Sequence, residues 1–495
     1  MQLNTIKRFF TGLAVLALLG TVASCKKQLD INYSPNNPSL DQGTPVLLFP
    51  AAVIGTMAST GADLAIVGGI WSEYYTQSAI ANQYIYIDNY NVKTSDLNNQ
   101  YSLLYTNGLK NFQAVIDKAQ ASKDWNFFLM GTVMKAYTAQ VLVDLYDKIP
   151  YSEALQGANN LNPKFDDGYT IYQSLISSID TALNKDFTAS TNTKLAGSDN
   201  AGADLVFKGD ITQWKAFANT LKLKLYLRMT NVHNDVAQAG IQKMYTNGVA
   251  FLTTTAAVTN FTDAPGKDNP MYEQNVRQLN TPDNLRASRT FVTWLQSNGD
   301  PRITTFFGSA NPVANNQGDA AGSGSAAVFK QSAVDPVVFI SGAESNFLQA
   351  EARVRYYASA GAQALYNGGV TAAFTDAGGL NAAPFIATGG AYAFPTAGTD
   401  EQKIEAIIVQ KWASCVSGCH GIEAFFERNR TGYPRSSPVY SDNIAYVPGQ
   451  IVSTPNNVIG TGKFPKRLVY PNNEVSTNSN APALVPITTP VWWSK

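Results

Sequence analysis

The sequence is poor in the residues from which many catalytic and metal sites are built. Only two histidines, His233 and His420, occur among the 495 residues. This leaves little material for a histidine-dependent catalytic triad or a multi-histidine metal site. The sequence also has no Gly-x-Ser-x-Gly nucleophile elbow, no phosphate-binding loop and no dinucleotide fingerprint. We therefore predict a protein that is not an enzyme and that carries no metal and no cofactor.

Charge is scarce as well. The sequence has 36 basic and 36 acidic residues, a net charge of zero and a charged fraction of 15%. Proteins that bind nucleic acid or anionic lipid surfaces concentrate lysine and arginine in blocks or patches, and the sequence has no basic block. This excludes nucleic acid as a partner. The hydrophobic content of 45% is typical of an ordered globular protein, so we expect a ligand to be recognised mainly through neutral groups.

Cysteine is nearly absent, and one of the three cysteines has a distinctive position. Lys7 and Arg8 precede the apolar stretch Phe9–Leu19, which is shorter than the ~20 residues that cross a bilayer, so residues 1–24 are predicted to be a secretory signal. The small residues Val22-Ala23-Ser24 come directly before Cys25 and resemble a bacterial lipobox. In that pattern Cys25 is acylated and holds the protein to a membrane. The alternative is a secreted protein with a cysteine close to its cleavage site.

The remainder of the sequence divides into a short tether and a long body. Residues 25–42 are polar and contain two prolines, which is typical of a flexible linker. Residues 43–495 exceed the roughly 250–300 residues that one core usually serves, so two or more lobes or a repeat superhelix are expected. We find no further apolar run of membrane-spanning length and expect the body to be soluble.

Apolar residues in the body mostly follow helical spacing. The pattern is strongest over 127–146, and Pro150 is expected to end that helix. The segment Leu221–Leu227 alternates like a strand, but it continues a helical pattern from Trp214 and is predicted to be helical. Further helices are predicted over 101–121, 169–183, 214–229, 339–357 and 401–412. Long segments rich in Gly, Asn and Pro are predicted to be functional loops: 256–282, 311–335, 378–399 and 431–480.

Several sequence blocks occur in an order that resembles the SusD/RagB family of outer-membrane nutrient-binding lipoproteins. They extend from Leu29 to Trp493. The paired Trp492-Trp493 is similar to the chain end of one branch of that family. The blocks are LDINYSPNNP, VDLYDKIPYSEAL, GDITQWKAFANTLKLKLYLRM, GDPRI, FISGAESNFLQAEA, IIVQKW, FERNRTGYPR, FPKRLVYPNNE and VWW.

The resemblance implies an all-α fold in which tetratricopeptide-like helix pairs form a superhelical scaffold with long irregular loop insertions. It also implies a lipid-anchored protein at the cell surface of the outer membrane, with a SusC-like TonB-dependent β-barrel transporter as partner. Family members capture glycans or, in some cases, peptides, and are not enzymes. The expected function is oligosaccharide capture and delivery to the transporter. Peptide cargo and a structural lid that binds no free ligand are the alternatives.

Two aromatic segments are the candidate ligand-binding residues. The segment ANQYIYIDNYN offers Tyr84, Tyr86, Asp88, Asn89 and Tyr90. If it were extended, alternation would place Tyr84, Tyr86, Asp88 and Tyr90 on one face. Aromatic faces flanked by amides and carboxylates suit a neutral glycan, although packing and transporter contact are alternative roles. The segment NPMYEQNVRQLN offers three further candidates: Tyr272, Asn275 and Arg277.

Other polar clusters are expected to have structural roles. Cys415 and Cys419 are predicted to form a local disulfide or to remain buried thiols, since a zinc site would need more ligands than CVSGCHG supplies. The pair Asp166-Asp167 is expected at a helix start. The segment TDAPGKDNP supplies oxygen ligands for calcium but lacks EF-hand spacing. The basic residues of ERNRTGYPR and FPKRL could bind an anion, but we expect pairing with acids such as Glu427 and Glu474.

Overall fold

The computed structural model describes residues 43–190, 203–319 and 322–494. The chain divides into two units, Met1–Thr44 and Pro45–Lys495. Every helix and strand described below belongs to the second unit. The predicted signal over 1–24, the acylated Cys25 and the tether over 25–42 lie outside the described residues.

The second unit is built mainly from α-helices. Two π-helical turns, Leu104–Leu109 and Glu273–Arg277, each directly follow a short α-helix. The α-helices are α1 Pro45–Thr60, α2 Asp63–Trp71, α3 Ile85–Asp88, α4 Asn98–Leu103, α5 Lys110–Ser122, α6 Trp125–Tyr146, α7 Gly168–Leu183, α8 Ile211–Arg228, α9 Asn234–Thr246, α10 Pro270–Tyr272, α11 Arg289–Ser297, α12 Arg302–Phe307, α13 Gly342–Tyr356, α14 Ala362–Asp376, α15 Ala383–Ile386, α16 Asp400–Ser414, α17 Gly421–Thr431 and α18 Asn472–Thr477.

Six short strands form three separate antiparallel pairs in the described part of the chain. In register, Tyr75 lies opposite Ala287, Lys148 opposite Asp167, and Ala256 opposite Ile340. The pairs fasten loop segments to the helices and form no larger sheet. The strands are β1 Tyr75–Gln77, β2 Lys148–Pro150, β3 Phe165–Asp167, β4 Ala256–Val258, β5 Leu285–Ala287 and β6 Val337–Ile340.

Consecutive helices pack against each other, which confirms the predicted helix-pair scaffold. Helix α5 packs on α6, α8 on α9, and α13 on α14. Side chains at the helix starts accept hydrogen bonds from backbone N–H groups that the helix itself leaves unpaired. Asp167 does this for α7, as predicted from its position, and Asp210 does it for α8. Thr399 and Gln402 form a reciprocal capping box at α16.

The predicted helices match the structure with two differences. The helix predicted over 101–121 is interrupted by the π-helical turn Leu104–Leu109, which separates α4 from α5. The helix predicted over 127–146 is α6, and Leu221–Leu227 is helical within α8. The helix predicted over 339–357 begins later, because Val337–Ile340 is the strand β6 and pairs with β4. A partner 80 residues earlier in the chain therefore overrides the local helical spacing of Phe339 and Ile340.

The segment Pro45–Trp71 corrects the expectation that no apolar run of membrane-spanning length follows the signal. Its length and its mean hydropathy of 1.5 would suffice to cross a membrane. The structure divides this segment into α1 and α2, and half of its most apolar window is buried in the protein. Phe49, Val53 and Leu64 belong to the hydrophobic core. The segment therefore packs as core helices.

Glycines allow α2 and α17 to cross at very short range. A Cβ atom on Gly68 would lie 2.1 Å from the backbone nitrogen of Ile422. A Cβ atom on Gly421 would lie 2.6 Å from the backbone nitrogen of Gly69. Since both contacts are with backbone, no side-chain movement could relieve them. This crossing brings the start of α17 next to α2, from which the first loops of the candidate site emerge.

A network of buried charges joins five helices at the centre of the fold. Glu423 of α17 lies 2.9 Å from Arg228 of α8, 2.9 Å from Lys411 of α16 and 3.3 Å from Lys224 of α8. The nearby cations hold the pKa of Glu423 down to about 2, although burial opposes this effect. The remaining members are Asp144 of α6, Glu344 and Glu351 of α13, and Glu427 and Arg430 of α17.

Candidate functional site

The first aromatic segment is helical, so the predicted extended geometry is wrong. Residues Ile85–Asp88 form α3, and the carbonyl oxygen of Tyr84 accepts from the N–H groups of Ile87 and Asp88. In a helix, residues four apart share a face, so Tyr84 and Asp88 both point inward and are buried. Tyr90 is also buried, whereas Tyr86 and Asn89 are half-buried. The alternating pattern Ile-Tyr-Ile-Asp fits a single helical turn as well as it fits a strand.

Asp88 is a buried acceptor that holds two loops together. One carboxylate oxygen accepts from the hydroxyl of Thr76 at 2.7 Å and from the backbone N–H of Gln77 at 3.1 Å. The backbone N–H of Gly318 donates to the same oxygen at 3.2 Å, and the side chain of Gln317 donates to the other at 2.6 Å. Burial raises the pKa of Asp88 to about 6, although these donors oppose the shift. With these four donors, Asp88 positions the loops around the candidate site.

Glu73 plays a similar part for a third loop. Its carboxylate accepts from the Thr290 hydroxyl at 2.5 Å and from the Val452 N–H at 2.9 Å. Burial raises the pKa of Glu73 to about 8. The loop that contains Val452 is also fastened to residue 317, because the Tyr440 hydroxyl donates to the carbonyl oxygen of that residue at 2.5 Å.

The second aromatic segment begins at α10 and continues through the π-helical turn Glu273–Arg277. The Asn269 side chain caps α10, and Arg277 lies 5.5 Å from the centre of the Tyr272 ring. Arg277 forms ion pairs with both Asp263 and Asp268. These two acids belong to the segment considered for calcium. In the structure their carboxylates pair with Arg277 and hold its side chain in place.

Asn275 lies at the centre of the second segment and is fully buried. Both polar atoms of its side-chain amide lack a hydrogen-bond partner among the described residues. The neighbouring Tyr272 and Arg277 are half-buried at the surface. Of the three candidates in this segment, Tyr272 and Arg277 are therefore the ones a ligand could reach directly.

The two aromatic segments meet at Asp63, the first residue of α2. Gln274 of the second segment donates to the Asp63 carboxylate, and so does Gln100 of α4. Burial raises the pKa of the Tyr84 hydroxyl above its ordinary value, and the Asp63 charge adds to the shift. Burial and the same charge raise the pKa of Tyr86 to about 12. The structure therefore brings together two segments that are about 190 residues apart in the chain.

We call residues 79–91, 272–280 and 440–457 the loop surface. Half-buried Tyr86 and Tyr272 present ring area, and Asn82, Gln83 and Gln278 are exposed beside them. Aromatic faces carry negative electrostatic potential and attract weakly positive C–H groups, while amides offer directed hydrogen bonds. Chemically, the surface can bind a neutral, hydroxyl-rich molecule. That the predicted residues of this surface bind a ligand stays a prediction.

A cavity of about 410 Å³ lies beside α10 and was not found from the sequence. Met271, Phe306 and Phe329 supply apolar walls, and Asn269 and Asp335 supply polar groups. The segment CVSGCHG lines one side of it, but the other lining residues come from segments far apart in the chain, so the sequence did not reveal a cavity. It also contains the two cysteines that remain after the signal.

Both cysteines are free thiols. Cys415 is buried, and Cys419 accepts a hydrogen bond from the Asn269 side chain at 3.4 Å. Burial raises the pKa of the Cys419 thiol to about 12 and that of Cys415 well above its ordinary value, so both stay protonated at neutral pH. Among the described residues, no group of three or more His, Cys, Asp or Glu side chains could hold a metal ion.

The predicted pairing of the basic residues is half correct. Arg430 lies 2.6 Å from Glu427, as expected. Glu474 does not pair with the FPKRL segment, since Arg467 has Asp147 at 3.9 Å as its acidic neighbour. Trp214 is fully buried in the core, and Trp125 packs against the core from its edge.

Comparison with solved structures places this arrangement among known folds. A SusD homologue from Bacteroides uniformis superposes with a TM-score of 0.73 at 21% identity, covering 91% of this chain and 98% of the other. A chitin-binding SusD homologue from Flavobacterium johnsoniae gives 0.70 at 21% identity, covering 90% and 98%. A structure described as a chitin-binding protein gives 0.70 at 22% identity, covering 91% and 100%. At these identities the likeness establishes the fold.

A second comparison, with protein families, covers most of the chain. No curated protein matches the sequence. Residues 35–471 match the SusD-like family described as starch-binding and associating with the outer membrane. This span includes α1 to α17, the loop surface and the buried charge network. The chain therefore belongs to the SusD-like family.

Proposed function

We propose that the protein is a non-catalytic, lipid-anchored glycan-binding protein of the outer membrane. It captures oligosaccharide at the cell surface and delivers it to a SusC-like TonB-dependent β-barrel transporter. The observation that carries the proposal is the meeting of the two aromatic segments at Asp63, which places half-buried tyrosine rings among exposed neutral amides. The family description as starch-binding and the chitin-binding description of two structural neighbours support a carbohydrate as cargo.

The neutral character of the chain supports the same ligand class. Its net charge is zero, and Arg277, the cation of the second segment, is paired with two acids. A site for charged peptides would need unpaired charges or deep apolar pockets, whereas this surface offers tyrosines and amides. Recognition then depends on ring stacking and directed hydrogen bonds, with Asp88 and Glu73 holding the loops in place.

Removal of the two accessible rings tests the proposal. We expect the variant with Tyr86→Ala and Tyr272→Ala to bind maltoheptaose or chitohexaose about tenfold or more weakly than the parent, because each stacked ring contributes on the order of 1 kcal/mol. Isothermal titration calorimetry measures the affinity, and circular dichroism checks that helicity is unchanged. Tyr356→Ala, which removes a partly buried tyrosine from α13 on the helical scaffold, is the matched control.

The outcomes separate the candidate cargoes. Unchanged affinity in the double variant would remove the two tyrosines from the site but leave the function in place. Binding of a peptide digest in preference to both sugars would replace glycan by peptide as cargo. Mass spectrometry of what copurifies with the protein after gentle detergent extraction identifies the transporter, which we expect in near-equal amount.

A further inference from the structure

A groove of about 290 Å³ lies away from the loop surface, between the end of α4, the loop after β2 and the helix α18. Tyr101 and Tyr105 line one side, Leu155 and Leu161 line the second, and Glu474 lies on the third. None of these residues was predicted to bind a ligand. We call this concavity the Glu474 groove.

The aromatic side of the Glu474 groove is held in a fixed orientation. The rings of Tyr101 and Tyr105 lie 4.8 Å apart with planes inclined by 37°. The Tyr105 hydroxyl donates to the carbonyl oxygen of Pro150 at 2.8 Å. Tyr101 is buried, whereas Tyr105 is half-buried and can present ring area to the groove. Tyr105 is the second residue of the π-helical turn Leu104–Leu109, which interrupts the regular α-helix at this wall.

The polar side of the Glu474 groove is the carboxylate of Glu474, which has no cationic partner among the described residues. One oxygen of Glu474 accepts from the Asn478 side chain at 2.9 Å. The other oxygen has no hydrogen-bond donor among the described residues, and no lysine or arginine of that part of the chain forms an ion pair with Glu474. Glu474 is half-buried, and this burial raises the pKa of its carboxyl. Such an oxygen accepts hydrogen bonds from a ligand hydroxyl favourably.

The walls of the groove are fastened to each other. Asn478 donates to the carbonyl oxygen of Pro163 at 2.9 Å, and Asn480 donates to that of Asn162 at 2.7 Å. The Ser479 N–H donates to the Asn162 side chain at 2.9 Å. These bonds connect the loop after β2 to the segment that follows α18, so the groove is formed before a ligand arrives.

We propose that the Glu474 groove is a second saccharide site, which takes the end of a neutral oligosaccharide. The C–H face of a sugar ring would pack on Tyr105 and the exposed Leu161, and sugar hydroxyls would donate to Glu474 and bond to Thr106, Asn473 and Thr477 at the rim. Its volume lies at the small end of ligand pockets, which suits a chain end. This inference rests on the proposed function, because it assigns the same ligand class to a second place.

The test measures the two sites separately in the full mature protein. Maltoheptaose and chitohexaose are titrated by calorimetry into the parent, into the Tyr86→Ala/Tyr272→Ala variant, and into that variant with Glu474→Gln or Tyr105→Ala added. We expect residual binding in the double variant and a further loss of about tenfold or more with Glu474→Gln, because a neutral amide replaces the charged acceptor of the hydrogen bond. Asp235→Asn, which changes an exposed acid of α9 that does not line the groove, is the matched control.

A second readout locates the bound sugar. The methyl signals of Leu161, which is 74% exposed at the groove, are expected to shift in carbon–proton spectra of leucine-labelled protein when sugar is added, and to stop shifting in the Glu474→Gln variant. Circular dichroism confirms that each variant is folded.

Each outcome decides the inference. If the Tyr86→Ala/Tyr272→Ala variant loses all binding, the groove is not a site while the proposed function stands. If binding persists there but neither Glu474→Gln nor Tyr105→Ala weakens it, the groove is again excluded. If the parent binds neither sugar, the groove and the glycan cargo are both wrong. Stronger binding of a cationic chitosan hexamer than of chitohexaose would overturn the neutral ligand class.

Discussion

Glu73 and Asp88 are single residues on which the shape of the loop surface depends. Each is fully buried and accepts hydrogen bonds from a loop that is distant in the chain, at residues 452 and 318. They lie close enough for each charge to disfavour the other, and Arg428 lies near Glu73 as the opposing cation. Ionisation of either acid inside the protein is costly, because burial removes water from the carboxylate. The stability of the loops is therefore expected to depend on pH.

Glu73 gives this dependence a definite sign. Its pKa in the folded protein, about 8, lies above the ordinary value of 4.5, so folding favours the protonated form. The stabilisation is fully present below pH 4.5 and is lost as pH rises to about 8. We expect the Glu73→Gln variant to lose less stability than the parent across that interval. Urea denaturation midpoints followed by circular dichroism measure the difference.

The control for Glu73 is another acid on the same loop system. Asp442→Asn removes an exposed carboxylate and should leave the pH profile of the parent unchanged. Midpoints of parent and Glu73→Gln that run parallel from pH 4.5 to 8 would show that Glu73 ionises in the folded protein as it does in the unfolded chain.

For single residues, the sequence predicted local roles better than burial. Asp167 was predicted correctly, because a helix start needs only local neighbours. Asp88 was wrongly predicted to share one face of an extended segment with three tyrosines, because the pattern around it fits two periodicities. Its partners Gln317 and Gly318 are 229 and 230 residues away. Which carboxylates are buried depends on such distant partners, so local sequence does not determine it.

Among the helices, the buried charge network decides how α6, α8, α13, α16 and α17 fit together. Buried ion pairs add little net stability compared with apolar packing, but removal of one partner leaves an uncompensated charge. Glu423 has three cationic partners within 3.3 Å. A change at Glu423 should therefore affect the packing of three helices at once.

We expect Glu423→Ala to lower the free energy of unfolding by about 3–5 kcal/mol. The reason is that Arg228, Lys224 and Lys411 stay buried while one of their acids is lost. Chemical denaturation measures the loss. Glu405→Ala, which removes the half-buried acid that pairs with the exposed Arg435 at the surface, is the control and should cost at most about 1 kcal/mol. Equal effects of the two substitutions would contradict a central role for the network.

Acid pH provides an independent check of the same residue. The pKa of Glu423 in the folded protein, about 2, lies below the ordinary 4.5. Its contribution is therefore present above pH 4.5 and is lost as pH falls towards 2. The difference in stability between parent and Glu423→Ala should shrink over that interval.

Helices were the elements that the sequence predicted best. Long runs with regular apolar spacing, such as α6 and α8, form helices because their buried sides are continuous. The start of α13 was misplaced, since β6 is held by β4. Short helices such as α10 and α15 lie in segments rich in Gly, Asn and Pro, and they exist because of capping and packing that spacing does not show.

For the whole molecule, the loop surface shows how far sequence reasoning extends. Its parts lie near residues 85, 275 and 450, and Asp63, Asp88 and Glu73 bring them together. Local patterns identified two of the three segments, because tyrosines among amides are visible in the sequence. Their arrangement was not predicted, since it depends on contacts between residues hundreds of positions apart. Family resemblance supplied the scaffold that periodicity alone did not give.

The attachment of the molecule to the membrane provides the final prediction. The lipobox resemblance implies that Cys25 is acylated. Several lipid chains, with about 0.8 kcal/mol for each buried methylene, would make a durable anchor. We expect Cys25→Ala to leave the protein uncleaved or soluble, whereas the parent fractionates with the outer membrane. Lys27→Ala changes a neighbour outside the small-residue pattern and should behave as the parent. If Cys25→Ala still fractionates with the outer membrane, lipid is not what holds the protein there, and contact with a transporter becomes the means of attachment to test next.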